Sequence, residues 1–99
     1  MMGESIDAGE LIVKMKDEDM RLLDVREADE FAIVSIPEAF NLPLSGFPES
    51  MTRLDMHKKY YVIDASGDRS DRACTHLEEA GFHAVKVEGG MEAWEIENK

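Results

Sequence analysis

The run from Tyr60 to Ser70, YYVIDASGDRS, constrains this chain more than any other segment. Tyr60-Tyr61-Val62-Ile63-Asp64 is aromatic and β-branched, which suits a packed, pleated strand. Ser66-Gly67-Asp68 forces a tight loop. Ser70 is a good N-cap for a helix predicted to run through Ala80, with Gly81 just past its end. The same strand-and-helix alternation recurs elsewhere. Ile6, Leu11, Ile12 and Met15 fall at roughly helical spacing, with Asp7 as a cap. Residues 20–25 read as a buried strand ending on a charged pair, and 27–32 as a short helix stopped near Ile36-Pro37, since proline disfavours helix in the residue before it. Residues 40–42 suggest a brief strand, 48–54 a short helix with Pro48 in its first turn, and 84–87 a last strand. Gly89-Gly90 then leads into a final short helix through Trp94. Strands alternating with helices predict an α/β fold, a small, mostly parallel sheet flanked by helices.

Ninety-nine residues support one domain, spanning 1–99, and 43% hydrophobic content is ordinary for a soluble fold. No run approaches the roughly 18 apolar residues that span a bilayer. The opening Met1-Met2-Gly3-Glu4-Ser5 has neither the basic region nor the apolar stretch of a secretory signal. A cytoplasmic protein without a membrane partner is expected. One cysteine, Cys74, excludes an internal disulfide and a cysteine-based zinc site. His57, His76 and His83 show no ligand spacing, so neither a structural metal nor a cofactor is expected. The net charge of −11 opposes nucleic acid as a partner. The acidity is most simply a matter of solubility.

In an open α/β sheet, ligands bind beyond the carboxyl ends of the strands. Two predicted strands end there on carboxylates, Asp24 and Asp64. A Gly-containing turn into a helix N-terminus points several backbone N–H groups into one concavity, a nest that stabilises an anion or lowers the pKa of a thiol at its base. The loop Asp64-Ala65-Ser66-Gly67-Asp68-Arg69 is thus the candidate anion-binding site, supported by Asp24, Arg26 and Ser70.

Four blocks of the sequence resemble the rhodanese family. Leu22-Leu23-Asp24-Val25-Arg26-Glu27 looks like its strand-end motif, and Ile36-Pro37-Glu38-Ala39-Phe40-Asn41-Leu42-Pro43 like its Ile-Pro-Gly-Ala-x-Asn-Ile-Pro stretch. Residues 66–70 resemble its active-site loop, and Glu88-Gly89-Gly90-Met91-Glu92-Ala93-Trp94 its C-terminal signature. The blocks fall in family order and span about Asp7 to Trp94. The resemblance implies a three-layer rhodanese-like domain. In that family a cysteine opening the loop takes a sulfane sulfur from a donor such as thiosulfate, holds it as a persulfide, and passes it to a thiophilic acceptor. In register, Asp64 falls at that cysteine, Arg69 at the loop arginine, and Ala65 at a position that is often basic. The six-residue loop length matches sulfurtransferases; related dual-specificity phosphatases have one residue more. Val34-Ser35 replaces the usual Gly-His, and Glu38 the usual glycine.

Persulfide chemistry needs a soft thiolate that attacks a sulfur–sulfur bond and leaves again. A carboxylate does neither, so the resemblance implies an inactive domain that binds or regulates an unknown protein partner or a small anion. Three other readings stand beside it. Sulfur transfer by Cys74 or a partner's thiol is one, although Cys74 shares a helical stripe with Ala73, Leu77 and Ala80 that reads as core. A second is Mg²⁺ held by Asp24 and Asp64 with Asp68 added; its rival has Asp24 on backbone or an arginine and Asp64 in the nest. Third, Arg69 binds an anion, or pairs internally with Asp64 or Asp24. Arg26 and Arg72 are expected to be solvated or paired with nearby acids. Trp94 is expected to anchor the last helix. Tyr60 and Tyr61 point to opposite faces, one predicted buried and the other half exposed.

Overall fold

Five strands form one sheet in the computed structural model, which describes residues 3–17 and 19–99; Met1 and Met2 of the opening stretch lie outside them. The elements run β1 (Ser5–Ile6), α1 (Ala8–Lys14), β2 (Arg21–Asp24), α2 (Ala28–Ile33), β3 (Phe40–Asn41), β4 (Lys59–Ile63), α3 (Asp68–Glu79), β5 (His83–Val87) and α4 (Gly90–Glu97). Two 3₁₀ turns, Leu44–Gly46 and Glu49–Arg53, fill the link before β4. The order across the sheet is β1-β5-β4-β2-β3, and every pairing is parallel. The carboxyl ends of all five strands therefore open onto one side.

Alternation along the strands builds two cores, one on each face. Leu23, Tyr60, Val62 and Ala84 meet Ala73, Cys74 and Leu77 of α3 on one side. Leu22, Tyr61, Ile63, Val85 and Val87 meet Leu11 of α1 and Met91 of α4 on the other. This gives the three layers, and it corrects the expectation for the tyrosines. Both are buried, because a parallel sheet covered on both faces has no solvent side. The Tyr60 hydroxyl keeps a polar partner by accepting from the Asp55 N–H at 2.9 Å.

The caps follow sequence in part. Asp7 accepts the Glu10 N–H at 2.8 Å while Glu10 accepts the Asp7 N–H at 3.2 Å, a reciprocal cap on α1. Ile6, grouped above with that helix, belongs to β1, where its carbonyl accepts the Glu88 N–H. At the end of α3 the Gly81 N–H reaches the Glu78 carbonyl and the Phe82 N–H the Leu77 carbonyl, the paired bonds of a Schellman cap. Ala80 is exposed, so the core stripe of α3 stops at Leu77. The segment 48–54 is a 3₁₀ turn rather than an α-helix. The last helix continues three residues past Trp94, which packs against the second core beside Ile6 and Met15. Among the described residues, no helix is long and apolar enough to cross a membrane.

Candidate functional site

Strands β2 and β4 are neighbours, with Asp24 registered opposite Ile63. Their carboxyl ends thus bring two buried acids to the same edge, Asp24 and, one residue past β4, Asp64. Asp24 is paired with a cation. The Arg26 Nε donates to both its oxygens at 3.1 Å, Nη2 to Oδ2 at 2.8 Å, and the Arg26 backbone N–H to Oδ1 at 2.9 Å. Arg26 Nη2 also donates to the Val34 carbonyl at 2.7 Å. Arg26 is therefore a buried pair partner, not a solvated side chain. Asn41 closes the turn, its Nδ2 donating to the carbonyls of Asp24 and Arg26 at 3.0 and 2.9 Å.

Asp64 has backbone amides instead. The Gly67 N–H donates to Oδ1 at 2.6 Å and the Ser70 N–H to Oδ2 at 2.9 Å. The nest expected from the sequence is thus formed, and Asp64 itself fills it. Its main chain is held from the other side: the Met91 N–H reaches the Asp64 carbonyl at 2.7 Å and the Glu92 N–H the Ala65 carbonyl at 3.1 Å. Those amides belong to the first turn of α4, whose N–H groups lack helical partners. Two helix N-termini therefore converge on the loop, α3 on the side chain and α4 on the backbone, and both favour negative charge there.

Ser70 is not the N-cap. α3 begins at Asp68, its N-cap is Gly67 at φ +117°, and Ser70 is its third residue. The Ser70 hydroxyl donates back to the Gly67 carbonyl at 3.0 Å. The cause is Asp64, whose carboxylate accepts the amide that an N-cap side chain would otherwise take. Gly67 provides the left-handed backbone that the turn needs. At Gly90 (φ +58°) a Cβ would lie 2.5 Å from the Asp64 carbonyl oxygen and 2.6 Å from the Ala65 carbonyl. Only glycine lets α4 approach the loop this closely.

Arg69 pairs with neither Asp64 nor Asp24. Its Nη1 donates to Glu30 Oε1 at 2.6 Å and its Nη2 to Oε2 at 3.0 Å. The guanidinium holds the Glu30 carboxyl far below its usual range, at about 2, helped by the Glu27 N–H that Glu30 also accepts. Glu30 raises the pKa of Arg69 in return. Sequence gave no sign of this pair, since its partners are 39 positions apart; the cue present, the Glu27–Glu30 spacing, points only to a helix start. Ser66 and Asp68 are exposed and Ala65 is half-buried. Asp24 spends both oxygens on Arg26, and no group of three His, Cys, Asp or Glu side chains among the described residues is placed to hold a metal. Asp24, Asp64 and Asp68 are not brought together as a ligand set.

Cys74 is not part of the loop; it lies on the buried face of α3 with Ala73 and Leu77. Burial, with Glu78 and Asp71 nearby, pushes its thiol up to about 12. Lys86 is held by Asp71 at 2.9 Å and Glu88 at 3.6 Å, which keep it firmly charged.

This arrangement, a parallel three-layer domain with a helix-capped loop at the carboxyl edge of its sheet, defines a class that the comparisons with known proteins name. A family model described as "Rhodanese-like domain" matches residues 7–97, and the chain belongs to that family. Among curated proteins it is 48% identical to the putative sulfurtransferase YtwF of Bacillus subtilis (strain 168), over 84% of this chain and 81% of that one. It is 34% identical to a sulfurtransferase of Allochromatium vinosum, over 94% and 89%. Among solved structures, a rhodanese-related protein from Thermoplasma volcanium superposes with a TM-score of 0.88 at 39% identity, covering 95% and 92% of the two chains. A rhodanese-like domain protein from Staphylococcus aureus gives 0.87 at 36%, covering 92% and 90%.

Proposed function

We propose that this rhodanese-like domain does not transfer sulfur and serves as a binding or regulatory module for a protein partner or a small anion. The observation that carries the reading is the pair of bonds from the Gly67 and Ser70 amides to Asp64. In the family's register Asp64 stands where the persulfide-forming cysteine belongs, and its carboxylate supplies from within the negative charge that the nest stabilises. A carboxylate has no sulfur to hold a persulfide and is a hard, weak nucleophile toward sulfane sulfur. The chain's one thiol, Cys74, is buried and resists ionisation, whereas the attacking species is the thiolate.

The test is a thiosulfate:cyanide assay on the parent chain beside Asp64→Cys. In the variant a thiolate at 64 would attack the outer sulfur of thiosulfate, release sulfite and keep a persulfide; cyanide would then remove that sulfur as thiocyanate and restore the thiolate. Thiocyanate formation by the variant alone supports the reading. Turnover by the parent chain overturns it.

A second reading, sulfur transfer through Cys74 or a partner's thiol, draws on the relative named a putative sulfurtransferase. It requires persulfidation of Cys74, seen as a mass gain of one sulfur after thiosulfate treatment. Native Cys74 that resists alkylation until the chain is unfolded excludes its own thiol from that role.

A further inference from the structure

Arg26, Lys86 and Arg69, cations at this end of the sheet, are each held by a carboxylate of the chain itself. Arg26 sits on Asp24. Lys86, whose Cε is 3.5 Å from where a Gly67 Cβ would be, sits on Asp71 and Glu88. Arg69 sits on Glu30. They differ in how firmly they are held. Arg26 and Asp24 are 5% and 0% exposed, and Arg26 has a further carbonyl acceptor. Lys86 is shared by two acids. The Arg69–Glu30 pair has one carboxylate and stands 27% and 37% exposed, so water and salt screen it and it opens more easily than the Arg26–Asp24 pair.

Both carboxylate oxygens of Glu30 lie on the two terminal nitrogens of Arg69. This is the forked face with which a guanidinium would grip a tetrahedral oxyanion. Glu30 does not depend on Arg69 for its place, because Oε1 also accepts the Glu27 N–H at 2.9 Å within the first turn of α2. It has an anchor to keep when Arg69 turns away.

We propose that Glu30 is a latch on Arg69: it occupies the loop's one guanidinium, and an incoming oxyanion must displace it to reach the loop. Glu30 thereby sets how weakly the site takes free anions. The proposal rests on the reading of residues 64–69 as the ligand end of the molecule.

The experiment is a titration with sodium sulfate at constant ionic strength, followed by NMR at the Arg69 Nε–H and the Ser66 and Asp68 amides. Sulfate has no sulfane sulfur, so its binding is independent of whether the chain transfers sulfur, and the two readings fail separately. Glu30→Gln is expected to bind sulfate about fivefold more tightly than the parent chain, near the most that an exposed pair is worth. Arg69→Ala added to it is expected to abolish the gain. Asp29→Asn removes the same charge one position away without freeing Arg69 and is expected to leave affinity within about a factor of 1.5, the size of a screened surface effect. Equal affinity in Glu30→Gln and the parent chain, or an equal gain in Asp29→Asn, overturns the latch. So does loss of the folded spectrum in both Glu30→Gln and Glu30→Ala, which would make Glu30 a strut.

Discussion

Asp24 and Asp64 stand at the carboxyl ends of adjacent strands, both essentially without solvent exposure, and are stabilised by different partners. Asp24 faces a guanidinium that is itself buried. Asp64 faces two backbone amides at the start of a helix. The difference matters because a buried ion pair cancels its own charge, whereas amides stabilise an anion without neutralising it. The β2 end is accordingly a staple: Arg26 ties Asp24 to the Val34 carbonyl, and Asn41 ties the same turn to β3. The β4 end is a cradle built around a negative charge, whichever residue or ligand provides it.

Removing each acid should separate the two roles, and the largest effect belongs to β2. Asp24→Ala leaves Arg26 buried and uncompensated, a loss of about 3–5 kcal/mol, or roughly 15 °C or more in Tm for a domain of this size. A drop under 5 °C in thermal melts would mean that Arg26 reaches solvent and the staple is not closed. Gly90→Ala should come next. It forces a side chain against the Asp64 and Ala65 carbonyls at a positive φ, costing about 3 kcal/mol from overpacking and strain together. Denaturant unfolding with an unchanged slope would read the loss as stability alone. An unaffected Gly90→Ala would show that α4 does not need its close approach to the loop. Asp64→Ala should be milder than either, about 2 kcal/mol, because it strands two amides but no cation. If Asp64→Ala proves as costly as Asp24→Ala, the contrast between staple and cradle fails.

The fold class and the cradle at Asp64 are legible in the sequence, whereas contacts between residues distant in sequence are not. The α/β class, the cap at Asp7, the glycine past α3 and the place of Asp64 at the base of an amide nest all follow from residues close together in sequence. The position of Ser70 suits a cap, and only the fold shows that Asp64, six residues earlier, has its amide. The burial of both tyrosines depends on α1, α3 and α4 covering opposite faces, which no periodicity within β4 reports. Strand β1 has two residues, too few to show a period. Glu30 fits helix composition alone, and nothing near it in sequence points to Arg69.

The smallest expected effect concerns that Glu30–Arg69 pair, which puts another carboxylate–cation contact at the same end of the sheet, this time open to water. Its stabilisation should fall below about 1 kcal/mol, because a part-exposed pair is screened. The sign with pH follows from the carboxyl being held at about 2 when folded against 4.5 unfolded. A depressed folded value gives stability that is fully present above pH 4.5 and is lost as pH falls toward 2. The Tm difference between the parent chain and Glu30→Gln should therefore be constant from pH 7 down to about 5, shrink steadily below that, and disappear only as pH falls through about 2. Glu4, also lowered through its bond to His83, titrates in both proteins and cancels in that difference. About 1 M sodium chloride should shrink the same difference near neutral pH while leaving the Asp24→Ala loss almost intact. A difference insensitive to both acid and salt would place the Glu30 contact with the buried staple rather than with the exposed, openable pair.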